Sequence, residues 1–106
     1  MSKKALGKAM PVLEYRKLSP SEVESELGTI PGWTVADTRI ERSFEFERYQ
    51  EGLVFANAVG YLADKLNHHP DLAVGYGRVI VSVTTHATEG LSPYDFELAR
   101  RINSII

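Results

Sequence analysis

Apolar residues recur at Phe55, Ala58, Val59, Leu62 and Leu66, a spacing of i, i+3, i+4, i+7 and i+11 that gathers them along one side of a helix. This predicts a helix from Tyr49 to about Asn67. It must stop at about His68, because Pro70 drives the residue before it, His69, out of the α region. Upstream, Thr38 to Phe46 alternates, with Ile40, Phe44 and Phe46 on one parity and Glu41, Ser43 and Glu45 on the other, as a half-buried strand does; Arg42 is the exception on the apolar side. Downstream, Leu72–Tyr76 and Arg78–Thr85 read as two strands of a hairpin broken at Gly75-Tyr76-Gly77, the second rich in β-branched residues.

Local signals bound the rest. Ser19-Pro20-Ser21-Glu22 combines an N-cap, a proline in the first turn and a glutamate at the third position, and Gly28 stands where a left-handed terminal residue is expected. A short helix over about 20–27 follows. Pro31-Gly32 turns into Trp33-Thr34-Val35, and Asp37-Thr38 marks a second turn. Ser92-Pro93-Tyr94-Asp95 repeats the capping pattern and opens a last helix carrying Phe96, Leu98, Ala99, Ile102 and Ile105. The order αββαββα, with hairpins rather than alternating βα units, predicts an α+β two-layer sandwich: an antiparallel four-stranded sheet with helices on one face.

Composition narrows the function classes. The 106 residues, 43% hydrophobic and 25% charged, suit a single globular domain over 13–106, preceded by an arm over 1–12 that carries Lys, Gly and Pro without periodicity and is expected to be mobile. A chain this short has a modest core, so a homodimer or homotetramer is expected as a way to bury more surface. Net charge is −2 without clustered Lys or Arg, which disfavours direct nucleic-acid binding. The lack of cysteine excludes disulfides, thiolate nucleophiles and cysteine-held metals. With no apolar run of signal-peptide or membrane-spanning length, a cytoplasmic protein is expected, and no membrane partner.

All 3 histidines fall between His68 and His86, within a frame of Asp64, His68-His69-Pro70, Tyr76, His86 and Asp95. Imidazole exchanges protons in the physiological range, so grouped histidines with carboxylates suit proton transfer or metal binding. Asp64 and His68 are four apart and are expected to meet on one helix face, with His69 turned off it by Pro70 and His86 brought near by the end of the hairpin. Three readings stand side by side. His68 and His69 could be helix-end residues favoured by the macrodipole, with Asp64 a solvated partner and His86 capping a strand. His68, His86 and Asp64 could form a facial triad for a metal. Or the imidazoles move protons on an organic substrate, a reading helped by the absence of any other nucleophile or phosphate loop.

The frame resembles the signature of the pterin-4a-carbinolamine dehydratases: an acid, three residues, His-His-Pro, five residues, an aromatic, nine residues, a histidine, eight residues and an aspartate. The likeness extends to Pro31-Gly32-Trp33, Thr85-His86, Gly90-Leu91-Ser92 and Leu98-Ala99. It implies dehydration of 4a-hydroxytetrahydropterin without cofactor or metal. His68, His69 and His86 then match the family's catalytic histidines, with His69 given substrate contact or a shared acid/base role. Asp64, Trp33 and Pro70 match substrate-binding positions, and Tyr76 and Asp95 supporting ones. Asp64 stands where relatives often carry glutamate, and Leu72 where they commonly carry an aromatic. By burial alone a lone tryptophan such as Trp33 is more often core. The resemblance also implies an alternative without catalysis: animal members assist dimerisation of a homeodomain transcription factor, and bacterial relatives serve as assembly factors for a carboxylase.

Overall fold

A computed structural model describes residues 13–106; the arm expected over 1–12 lies outside them. The first helix, α1 (Pro20–Leu27), begins with a reciprocal cap in which the Glu22 N–H donates to Ser19 Oγ at 3.2 Å and the Ser19 N–H to Glu22 Oε1 at 2.9 Å. Its end departs from expectation. Gly28 is right-handed, with φ −65°, and the chain closes instead through bonds from Gly28, Thr29 and Ile30 back to Ser25, Glu26 and Leu27. Those tightened bonds satisfy the last carbonyls, so no left-handed residue is needed there. The left-handed glycine is Gly32, with φ +93°, in the turn that leads into the sheet.

Strands β1 (Thr34–Ala36) and β2 (Arg39–Glu45) form one hairpin, and β3 (Asp71–Val74) and β4 (Arg78–Val83) the other. All pairings are antiparallel, and the order is β1-β2-β4-β3. Helix α2 (Tyr49–Leu66) crosses between the hairpins, and α3 (Pro93–Asn103) closes the chain. The architecture is the expected αββαββα sandwich.

Period-two burial sets the inner face of the sheet. Ile40 and Phe44 of β2 and Val79, Val81 and Val83 of β4 are buried beneath Phe55, Val59 and Ala63 of α2 and Phe96, Ala99 and Ile102 of α3. At Gly52 a Cβ atom would sit 3.3 Å from a Val79 methyl, so the missing side chain is what lets the first turns of α2 lie close on β4. Arg42 keeps its inward parity by a different route. Its guanidinium lies 4.5 Å from the Phe44 ring centroid and donates to the Pro31 carbonyl and to Asn103 Oδ1, which also accepts from the Trp33 indole at 2.8 Å.

Candidate active site

The turn that ends α2 determines the site. Asn67 is left-handed (φ 54°, ψ 44°), its N–H returns to the Asp64 carbonyl at 3.1 Å, and the His68 N–H returns to the Ala63 carbonyl at 3.0 Å. This is a Schellman closure, in which the residue after the left-handed one folds back toward the helix core. His68 therefore points inward and is 7% exposed. His69 comes round to the outside of the last turn, where Nε2 lies 2.8 Å from Asp64 Oδ1, with the two side chains 56% and 79% exposed.

This overturns the expected pairing of Asp64 with His68 and the expected turning away of His69. The four-residue spacing holds only while the backbone stays helical, and it leaves the helix before His68. Pro70 then leads the chain into β3.

The partner of His68 is Asp95. Nε2 lies 2.7 Å from Asp95 Oδ1, and Asp95 is fully buried at the start of α3. Its other oxygen accepts from the Thr85 hydroxyl at 2.8 Å and from the Ser92 N–H at 2.9 Å, while Thr85 Oγ1 lies 2.8 Å from the Ser92 hydroxyl and 3.4 Å from His68 Nε2. A carboxylate only accepts, so His68 presents its Nε2–H to Asp95, which fixes the tautomer and leaves Nδ1 as the basic nitrogen. The capping box at Ser92 was legible in sequence. That its aspartate would also anchor a histidine from another element was not, because nothing local joins residues 68 and 95.

His86 opens a short 3-10 turn (His86–Thr88) directly after Thr85 and is exposed. It lines a cleft of about 320 Å³ with Thr38, Arg39, Thr84 and Glu89, at the low end of ligand-site volumes, which run from roughly 300 to 1,000 Å³. A larger hollow of about 530 Å³, lined by Leu18, Val23, Leu27, Val35 and Leu91, holds none of the histidines. The triad of His68, His86 and Asp64 does not converge on one centre, since Asp64 and His68 bond to different partners.

Two further expected site residues lie elsewhere. Trp33 is buried against Phe44, edge to face at 6.2 Å, and bonds Asn103, eight residues and so roughly 12 Å along α3 from Asp95. It belongs to the core. Tyr76 is 75% exposed in the β3–β4 turn and stacks on Tyr49, while His86 lies beyond the far end of β4, roughly 20 Å along the strand direction. Its role is in the turn.

The three histidines thus stand as one buried pair with a carboxylate (His68–Asp95), one open pair (His69–Asp64) and an exposed His86 beside a cleft, next in sequence to the Thr85 that bonds Asp95. A family model described as pterin 4 alpha carbinolamine dehydratase matches residues 16–105. The chain belongs to that family. A Sulfolobus acidocaldarius protein named provisionally as a pterin-4-alpha-carbinolamine dehydratase is 38% identical over 89 residues, covering 84% of this chain and 98% of that protein. A relative from Rubrobacter xylanophilus with the same provisional name is 40% identical, covering 83% of each chain. A crystal structure described as a transcriptional coactivator/pterin dehydratase from Brucella melitensis superposes with a TM-score of 0.80 at 34% identity, covering 85% of this chain and 98% of that one. A pterin dehydratase-like RuBisCO assembly factor of the alpha-carboxysome shares the fold, with a TM-score of 0.57 at 18% identity over 69% of this chain and 84% of that one.

Proposed function

We propose that the protein dehydrates pterin-4a-carbinolamine, with 4a-hydroxytetrahydrobiopterin as the type substrate, to a quinonoid dihydropterin and water, and so supports tetrahydropterin recycling. The C4a–O bond breaks as the hydroxyl takes a proton and leaves as water. N5 gives up its proton, and that electron pair completes the bond from N5 to C4a. One proton enters and one leaves, so imidazoles acting as general acid and general base meet the whole requirement.

The observation that carries this reading is the open His69–Asp64 pair, 2.8 Å apart, in a chain whose family model spans residues 16–105. Asp64 orients an imidazole that substrate can reach. His69 and the exposed His86 are assigned the two proton transfers at the substrate, and His68, held by Asp95, the third catalytic position. Asp64 and Pro70 border the substrate beside His69. A stopped-flow assay with enzymically generated carbinolamine tests the proposal: wild type should outpace buffer, and His69→Ala should lose most of that advantage. A wild type no faster than buffer would overturn it. The chemistry asks for no metal, so dialysis against a chelator should leave the rate unchanged; loss of activity restored by zinc or iron would replace proton transfer with a metal reading.

The fold shared with an assembly factor, together with exposed Val54 and Tyr61 on α2, supports a second reading as an assembly or dimerisation factor. Partner binding that ignores substitution of all three histidines, together with an inactive wild type, would favour it.

A further inference from the structure

His68 is buried although it lies just past the end of α2, and what covers it is an aromatic pair from two separate segments. Tyr94, in the first turn of α3, has its ring centroid 5.5 Å from that of His68, and Tyr15 stacks on Tyr94 at 4.1 Å and 13° while lying 6.1 Å from His68 itself. Tyr15 is 51% exposed, so its outer face gains little by burial. Its inner face lies on the Tyr94 ring, and the pair together stands over His68.

The extended segment that carries Tyr15 is pinned on its C-terminal side. The Leu18 N–H donates to the Leu91 carbonyl at 2.8 Å, the Leu18 side chain is buried, and Arg16 donates to both carboxylate oxygens of Glu22 at 3.2 and 3.0 Å. Tyr94 is tied to the same polar network, because its N–H donates to Ser92 Oγ, which bonds Thr85.

We propose that Tyr15 is a positioning residue for the buried His68–Asp95 pair, acting with Tyr94 as a cover that keeps water from the Nε2–H and holds the imidazole on Asp95. The catalytic part of this assignment rests on the dehydratase reading; the cover does not. Water admitted at Nε2 would compete for the carboxylate and release the ring from the orientation that Asp95 sets. The tyrosine hydroxyl has no part in this, so phenylalanine should serve as well.

The test is proton NMR of the imidazole Nε2–H in wild type, Tyr15→Phe, Tyr15→Leu and Tyr15→Ala, with thermal unfolding followed in parallel. Wild type and Tyr15→Phe should show a resolved Nε2–H resonance in slow exchange with water. In Tyr15→Ala the exchange should be faster by about tenfold or more, as expected when a local opening replaces a closed cover, with Tyr15→Leu between. In the stopped-flow assay Tyr15→Ala should lower kcat by roughly tenfold with KM little changed, within the range that misplacement of a reacting group costs, and Tyr15→Phe should restore it. Equal Nε2–H exchange in wild type and Tyr15→Ala, or no protected resonance in wild type, would overturn the proposal. An inactive wild type with the expected exchange pattern would remove the dehydratase reading and leave the cover standing.

Discussion

Asn67 determines which histidine meets which carboxylate. A left-handed residue there reverses the chain so that His68 enters the core and His69 returns to Asp64. Asparagine adopts this conformation more readily than other non-glycine residues, whereas a β-branched side chain is strained in it by about 1–2 kcal/mol. Asn67→Gly should therefore preserve both pairs, and Asn67→Val should lower unfolding free energy by about that amount and broaden the His68 and His69 resonances together. The three histidines should also separate in mutant kinetics. His69→Ala and His86→Ala should lower kcat on the order of 10²–10⁴-fold with the fold intact, the worth of a positioned acid or base. His68→Ala should in addition destabilise the protein, by about 3 kcal/mol, because it strips a donor from a fully buried carboxylate. Urea unfolding of the three variants checks this: equal midpoints would contradict the buried pairing. The family was legible in sequence because the spacing of the histidine frame is its signature. The pairings were not, because one αL residue invalidates the helical rule that four-apart residues share a face.

At the scale of elements, the starts of α1 and α3 were legible to the residue, since proline, N-cap and acid act within one turn, whereas α3 ends at Asn103, short of the expected Ile105. The strands were legible through alternation and their ends less so: β3 covers Asp71–Val74 where 72–76 was expected, and β4 stops at Val83, two short of Thr85, which joins a polar network instead. The α1 cap also has a measurable consequence. Glu22 has its carboxyl pulled down from the ordinary 4.5 to about 2, first by the hydrogen bond from Arg16 and then by that from the Ser19 N–H, and the same pair raises Arg16. A depressed carboxylate contributes stability that is complete above about 4.5 and is lost as pH falls toward about 2. The group is exposed, so the contribution is modest. A carbon-detected titration should place the Glu22 midpoint near 2, and Glu22→Gln should remove this part of the pH dependence between those limits. A Glu22 midpoint near 4.5 would show that Arg16 does not hold it in solution.

At the scale of the whole molecule, the unresolved need is for buried apolar area. Helix α2 buries Gly52, Phe55, Val59 and Ala63 against the sheet, yet its other side carries Val54 at 64% and Tyr61 at 63% exposure, one helical face apart from the core stripe, with Leu53 and Tyr49 also exposed. Scattered exposed hydrophobics are ordinary, but Val54 and Tyr61, seven apart on the side of the 18-residue helix opposite its core stripe, make this the face that a self-association test should target first. A second copy of the chain is the economical partner, since like helices can pair about a twofold axis with each residue meeting its own equivalents. Sequence alone anticipated association from small size and from the sheet face that the helices leave uncovered; it placed the α2 stripe facing the core and gave no reason to expect a second one, because Val54 and Tyr61 fall outside the i, i+3, i+4 run that identifies the helix. Sedimentation at micromolar concentration should show a dimer or tetramer. Replacing Val54 and Tyr61 with glutamate should shift it to monomer while leaving circular dichroism and the buried His68–Asp95 pair unchanged, because both residues are exposed and neither belongs to the core. Wild-type protein that sediments only as a monomer would contradict self-association, and a glutamate pair that leaves the oligomer intact would move the interface to the open sheet face or the β3 edge.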